Sequence, residues 1–235
     1  ETEGAFDITV APLVNAWGFG FEEIPMVDST KIDSILKFIG YKKIELRDEK
    51  IYKDDERVML DMNAIAQGYT VDVISRFLDD HHISDYLVEV GGEIRTKGKN
   101  PDGKPWSVGI DRPVEGNQVP GQNLQAIVKL GNRSLATSGN YRKFYVKDGV
   151  KYSHTINPST GYPVNHNLLS VTVLADECIR ADAYATACMV MGLDKGKQLV
   201  NKMDNLEAYF IYSDEQGNFQ VDYSENIKKL ITEVR

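Results

Sequence analysis

The stretch ADAYATA at residues 181–187 lies at the start of a predicted helix and is the most informative part of this chain. Asp182 and Thr186 are four residues apart, so a helix places their side chains on one face. Two hard oxygen ligands directed at one point suit Mg²⁺ better than Zn²⁺. Taken alone, the pair is better explained as an acid favoured by the helix dipole and a surface hydroxyl.

A second polar stretch, SHTINPSTG at residues 153–161, precedes that helix and carries one imidazole, His154. A metal site beside a small polar loop with a glycine suggests chemistry on a phosphate ester. Imidazole titrates near neutral pH, which makes His154 a candidate for proton transfer or for orienting a phosphate. The alternative, a loop histidine with only a packing role, is equally consistent with the sequence.

Composition excludes some partners. The chain has 235 residues, 42% hydrophobic and 26% charged, and 35 acidic against 27 basic residues give a net charge of −8. This balance argues against nucleic acid as the main partner, because phosphate backbones need a basic surface. No apolar run is long enough to span a membrane, and no signal peptide precedes the opening ETEG, so we expect a processed or shortened chain. Cys178 and Cys188 are expected to be buried free thiols.

The periodicity predicts an α+β fold of mixed and antiparallel sheets with flanking helices, in one unit over residues 1–235. Helices are predicted over residues 29–39, 61–80, 180–191 and 195–203. Strands are predicted over residues 6–10, 44–46, 51–52, 58–60, 86–90, 93–97, 106–111, 126–130, 134–137, 141–146, 168–174, 208–212 and 219–223, with a polar loop over 112–123.

Several polar or aromatic positions have a structural interpretation as well as a functional one. Asp61 can cap the start of its helix, or bind a ligand hydroxyl. Trp17, Phe19 and Tyr69 are interpreted as core residues rather than as stacking groups. Gly91 is interpreted as a bulge or a close crossing of strands.

The chain resembles the ApbE-type flavin transferases, which move FMN from FAD onto a threonine of a target protein. The resemblance runs nearly end to end and depends on six motifs in the family's order. These are residues 5–20 (AFDITVAPLVNAWGFG), 61–69 (DMNAIAQGY), 89–93 (EVGGE), 136–141 (ATSGNY), the loop at 153–161 and the helix at 181–187.

The resemblance implies a role for individual residues. It implies that the metal shell comprises the backbone carbonyl of Ala64 and the side chains of Asp182 and Thr186. Contacts with FAD are implied for Ala5, Phe6, Asp7, Asp61, Gln67 and Ile156, and His154 is the candidate catalytic residue. Where relatives can have a second acid in the metal helix, this chain has Ala185.

The implied function is Mg²⁺-dependent transfer of FMN from FAD to a threonine hydroxyl of an acceptor protein, a redox-complex subunit, with release of AMP. Hydrolysis of FAD to FMN and AMP is the alternative enzyme activity, because water and threonine would use the same ion and pocket. A non-catalytic flavin carrier and an interaction scaffold with a decayed site are the alternatives outside enzymes. The resemblance also implies a periplasmic or cell-envelope lipoprotein whose lipid anchor and N-terminal segment are absent from this chain.

Overall fold

The computed structural model describes residues 1–20, 27–114, 119, 121–141, 144–147 and 149–234. Parts of the predicted loop over 112–123 and of the predicted strand over 141–146 lie outside the described residues. The helices are α1 (Ala11–Ala16), α2 (Ser29–Leu36), α3 (Ala66–Asp80), α4 (Cys178–Met191) and α5 (Leu193–Lys202), with 3₁₀ turns at Tyr41–Lys43 and Ile227–Lys229. This content confirms the predicted α+β class.

The strands pair antiparallel wherever pairing is described. They are β1 (Ile44–Arg47), β2 (Lys50–Lys53), β3 (Tyr86–Val90), β4 (Glu93–Lys97), β5 (Ser107–Asp111), β6 (Leu124–Lys129), β7 (Ser134–Gly139), β8 (Phe144–Lys147), β9 (Val150–Ser153), β10 (Leu168–Ala175), β11 (Glu207–Ser213), β12 (Phe219–Tyr223) and β13 (Ile231–Glu233). Strands β9 and β13 were not predicted from the sequence, and the strand predicted over residues 58–60 is absent.

The chain divides into two units, Glu1–Met62 with Lys143–His166 and Asn63–Arg142 with Asn167–Arg235. The prediction of one domain over residues 1–235 stays a prediction. The first unit contains α1, α2 and the two-stranded sheets β1-β2 and β8-β9. The second unit contains α3 to α5, a six-stranded sheet of order β12-β11-β10-β7-β4-β3 and a three-stranded sheet of order β13-β6-β5.

The core of the first unit forms between α1 and α2. Leu13, Trp17 and Ile32 are buried there, which confirms the interpretation of Trp17 as a core residue. The indole Nε1 of Trp17 donates a hydrogen bond of 2.7 Å to the carbonyl of Gly161. Gly161 has φ of +78° and a Cβ there would lie 2.5 Å from Ile32, so this loop turns tightly onto the core.

The strand predicted over residues 6–10 is wrong. The segment forms turns that lead into α1, which has Pro12 in its first turn. The Asp7 carboxylate accepts hydrogen bonds from the backbone N–H of Thr9 at 2.8 Å and from its hydroxyl at 2.6 Å. This local pairing of a side chain with the backbone two residues on stabilises a turn in place of an extended strand.

In the second unit, α4 lies on β7 and β10 and packs against α3. Both cysteines are on or within α4, buried and free, as predicted. Asp72 of α3 is completely buried and joins the two helices. Its carboxylate accepts hydrogen bonds of 2.9 Å from the first two N–H groups of α4, those of Cys178 and Ile179. It also pairs with Arg95 of β4 at 2.9 Å.

Large apolar residues of α3 do not face the core. Tyr69 is 53% exposed and Phe77 58% exposed, so the interpretation of Tyr69 as a core residue is wrong. The buried face of α3 instead carries Gly68, Val71, Asp72 and Ser75. Small and polar side chains occupy this face because α4 approaches closely and because Asp72 caps the start of α4.

Replacing Asp72 with Ala should destabilise the protein by about 3 kcal/mol, because it removes the cap of α4 and leaves Arg95 without its buried partner. Chemical denaturation followed by circular dichroism measures this loss. Asp80→Ala at the exposed end of the same helix is the matched control and should change stability by less than about 0.5 kcal/mol. Equal stability of the two variants would show that Asp72 does not hold α4.

Candidate functional site

Asp182 lies one turn into α4 and is only 6% exposed. Its carboxylate Oδ2 accepts a hydrogen bond of 3.1 Å from the backbone N–H of Gly68, in the first turn of α3. Burial raises the pKa of Asp182 to about 6, and the hydrogen bond from Gly68 partly offsets this rise. The second unit therefore contains a carboxyl group whose ionised form burial disfavours.

Gly68 allows α3 and α4 to approach each other at this point. A Cβ at Gly68 would lie 2.6 Å from the carbonyl oxygen of Cys178 and 2.9 Å from Cβ of Asp182. The N-cap residue of α3, Ile65, has no side-chain hydrogen bond to the helix. The Asp182 carboxylate thus serves one of the N–H groups that a helix start leaves without an intrahelical partner.

This arrangement explains where α3 begins. The predicted helix start at residue 61 is wrong, since α3 begins at Ala66. Asp61 belongs to the preceding segment, and its backbone N–H donates a hydrogen bond of 2.7 Å to the carbonyl of Ile8. Ala64 lies in the turn just before the helix and is half-buried.

A second buried carboxyl group, Glu93, lies at the start of β4 and is 7% exposed. Among the described residues, its Oε2 atom has no hydrogen-bond partner. Burial, followed by repulsion from Asp182, raises the pKa of Glu93 to about 7. Sequence reasoning noted the motif at residues 89–93 but assigned no role to Glu93.

The turn before Glu93 brings a predicted FAD contact to the same place. Gly91 and Gly92 connect β3 to β4 with φ of +65° and +109°. A Cβ at Gly91 would collide with the side-chain amide of Gln67 and lie 3.6 Å from Oε2 of Glu93. Gln67, which is exposed, therefore lies against the turn that positions Glu93.

Thr186 is half-buried on α4, one turn after Asp182, and the helix predicted around the pair is present. Its hydroxyl lies 3.3 Å from the hydroxyl of Ser138 on β7, and either group can donate the hydrogen bond. Asp182 and Thr186 thus present oxygen atoms on successive turns of α4, as their spacing predicts.

The remaining predicted site residues belong to the first unit. Asp7 is buried, and its second oxygen accepts a hydrogen bond of 2.8 Å from the backbone N–H of Tyr41. Ala5 and Phe6 are half-buried in the turn that precedes it. Ile156 is 4% exposed, packs in the core of that unit and forms an isolated bridge with Pro163.

His154 directly follows β9 and is half-buried. Its ring meets the ring of Phe19 edge-on, with 6.3 Å between the centroids. Four predicted site residues thus belong to the second unit: Ala64, Gln67, Asp182 and Thr186. His154 and the other predicted FAD contacts belong to the first unit. The roles assigned to these residues stay predictions.

In the part of the chain that the structure describes, no three His, Cys, Asp or Glu residues form a group that could hold a metal ion. Any cation at Asp182 would therefore need ligands of other kinds in addition to such side chains. None of the described helices has the length and apolar character needed to cross a bilayer.

The fold is similar to that of solved flavin transferases. A structure of the flavin transferase ApbE from Vibrio cholerae matches 97% of this chain and 72% of its own, with a TM-score of 0.85 and 38% identity. The apo flavinyl transferase ApbE of Pseudomonas stutzeri matches with a TM-score of 0.85 and 34% identity, over 97% of this chain and 70% of its own.

A family model, that of the ApbE family, matches residues 1–210, and this chain belongs to that family. A FAD:protein FMN transferase of Vibrio cholerae is 43% identical over 83% of this chain, and one of Haemophilus influenzae is 38% identical over 97%. The chain spans 58% and 66% of the length of these two relatives.

Proposed function

We propose that this protein transfers FMN from FAD to a threonine hydroxyl of an acceptor protein and releases AMP. Membership in the ApbE family carries this proposal, together with relatives named FAD:protein FMN transferase at 36% to 43% identity. The acceptor is proposed to be a subunit of a redox complex. The proposal includes a location in the cell envelope, which fractionation of cells expressing the complete protein would test.

The donor atoms around α4 are of the type that Mg²⁺ prefers. Asp182 supplies a buried carboxylate and Thr186 a hydroxyl one turn further along, and both are proposed to hold the ion with the backbone carbonyl of Ala64. When bound, Mg²⁺ would neutralise charge on the diphosphate of FAD as the bond to AMP breaks. The hydrogen bond from Gly68 fixes the direction of the Asp182 carboxylate.

FAD binding is assigned to Ala5, Phe6, Asp7, Asp61, Gln67 and Ile156. The Asp7 carboxylate is already occupied by Thr9 and Tyr41, so its proposed contribution is to hold the turn that contacts the flavin. The buried side chain of Ile156 similarly leaves its backbone as the group that meets the dinucleotide. Gln67 is exposed and can present its amide to a polar group of FAD.

In the proposed reaction, the threonine oxygen attacks the phosphorus on the FMN side of the diphosphate. A new phosphoester bond joins FMN to threonine, and the bond to the bridging oxygen breaks, so that AMP leaves with that oxygen. The threonine proton goes to His154, which acts as general base. The residues assigned to FAD binding position the substrate for in-line displacement.

The decisive experiment mixes the purified protein with FAD, Mg²⁺ and a candidate acceptor protein that contains the target threonine. Mass spectrometry of the acceptor and chromatography of AMP are followed together, with EDTA in a parallel sample. Equal gain of acceptor-bound FMN and free AMP, both prevented by EDTA, supports the proposal. AMP and free FMN without a modified acceptor would indicate FAD hydrolysis, and FAD binding with no AMP would indicate a flavin carrier.

A further inference from the structure

Glu93 is a buried acid with an incompletely hydrogen-bonded carboxyl group. It is 7% exposed, and in the described part of the chain its Oε2 accepts no hydrogen bond. Leaving a buried polar atom without a partner costs about 1–3 kcal/mol, and more when the group is charged. Such a group in a native protein calls for an explanation, and a bound ion is one that would complete its coordination.

The surroundings of Glu93 indicate what kind of group could pair with its Oε2 atom. Gln67 lies against the turn that leads into Glu93, and the N–H of the next residue, Gly68, donates to the buried Asp182, so both carboxyl groups lie at the start of α3. Repulsion from Asp182, and less from Glu89, contributes to the raised pKa of Glu93. Cys178, one turn before Asp182 on α4, donates from Sγ to the carbonyl of Ile94 at 3.5 Å. The carboxyl-bearing face of α4 therefore packs directly against the first residues of β4.

Two buried carboxyl groups that repel each other are stabilised when they share either a proton or a cation. Between Asp182 and Thr186, helix α4 carries Ala183, Tyr184 and Ala185, so it offers no second carboxylate there. The turn at Gly91 and Gly92 places Glu93 at the start of the neighbouring strand, from which it can supply a second carboxylate.

We propose that Glu93 is a direct ligand of a divalent cation that it shares with Asp182, so that β4 and α4 each contribute one carboxylate. This assignment extends the metal site of the proposed function, on which it rests for the choice of Mg²⁺. It gives the ion two negative charges from the protein. The cation also completes the oxygen of Glu93 that the described residues leave unpaired.

Binding of Mn²⁺, a substitute for Mg²⁺ with an electron paramagnetic resonance signal, tests this without FAD or acceptor. We expect the wild-type protein to bind one Mn²⁺ and Glu93→Gln to bind it at least about tenfold more weakly, since Gln keeps the shape but loses the charge. Glu89→Gln, an exposed acid on the same hairpin, is the matched control and should bind within about twofold of wild type.

Thermal unfolding in EDTA provides a second readout. If Glu93 is retained for the cation, Glu93→Gln should melt at or above the wild-type temperature without metal and gain less stability from Mn²⁺. Wild-type Mn²⁺ affinity in Glu93→Gln, or a lower melting temperature in EDTA with unchanged affinity, would show a structural acid and overturn the proposal. Should Glu93→Gln not fold, Glu93→Asp is used, and failure of both to fold also overturns it.

The two proposals fail separately. If the wild-type protein binds Mn²⁺ through Glu93 but transfers no FMN, the proposed cation site stands and the proposed function is wrong. If the wild-type protein transfers FMN but Glu93→Gln binds Mn²⁺ with wild-type affinity, the proposed function stands and the assignment of Glu93 is wrong. Absence of Mn²⁺ binding by the wild type without FAD overturns the two-carboxylate site, whatever the transfer assay shows.

Discussion

The variant Asp182→Asn is expected to lose at least about 100-fold in Mg²⁺-dependent FMN transfer, the larger effect coming from the lost charge rather than from altered shape. Asparagine keeps a side-chain oxygen that can accept the hydrogen bond from Gly68. It also keeps the volume of a side chain that is 6% exposed, so the contact between α3 and α4 should persist. Release of AMP and mass of the acceptor, each measured against Mg²⁺ concentration, give the loss.

Two observations make this result interpretable. Asp176→Asn, an exposed acid two residues before α4, should transfer FMN at the wild-type rate. Without metal, Asp182→Asn should be at least as stable as wild type, because it removes a buried charge near Glu93. Retention of Mg²⁺-dependent turnover by a folded Asp182→Asn protein would remove Asp182 from the metal site.

Local signals in the sequence were sufficient for much of the second unit. The strands β3 and β4 are bounded by a pair of glycines, and both glycines adopt positive φ in the tight turn that joins them. Helix α4 ends at Gly192, as a glycine after a helical pattern predicts. Such signals depend only on neighbouring residues, so they can be interpreted without knowledge of the fold.

Contacts between distant residues account for the errors. The sequence predicts the start of α3 five residues too early, because the carboxylate that serves its first turn comes from Asp182, 114 residues away. The segment over residues 6–10 contains alternating apolar residues, but the turn at Asp7 is also held by the backbone of Tyr41, 34 residues away. Hydrophobic periodicity contains no information about such partners.

The orientation of α3 shows the same limit. Its larger apolar residues predict a core-facing stripe, yet Tyr69 and Phe77 are exposed. The face that packs against α4 carries Gly68 and Asp72, because close approach and helix capping decide the contact. A pattern based on hydrophobicity assigns such a face to solvent.

Within the candidate site, the sequence predicted the Asp182 and Thr186 pair but assigned nothing to Glu93. An acid at the start of a strand, after two glycines, is typical of an exposed hairpin. Only the structure shows that this acid is buried and that Asp182 acts on it. The sequence signal at Glu93 is an acid that directly follows two glycines. This signal does not distinguish a buried acid from an exposed one.

Replacing His154 with Ala is expected to lower the single-turnover rate of FMN transfer by about 10²- to 10⁴-fold while leaving FAD affinity unchanged. The ring follows β9 and meets Phe19 edge-on, with 6.3 Å between the ring centroids. FAD contacts are assigned to other residues.

FAD affinity and single-turnover rate must be measured on the same preparation, together with the melting temperature. The control His82→Asn changes an exposed histidine with φ of +59°, a conformation that Asn tolerates, and should leave all three quantities unchanged. Joint loss of stability and FAD affinity in His154→Ala would indicate that His154 packs the loop over residues 153–161. Wild-type turnover in a folded variant that binds FAD would exclude His154 as the general base, and the threonine proton would then have to leave by another group or through water.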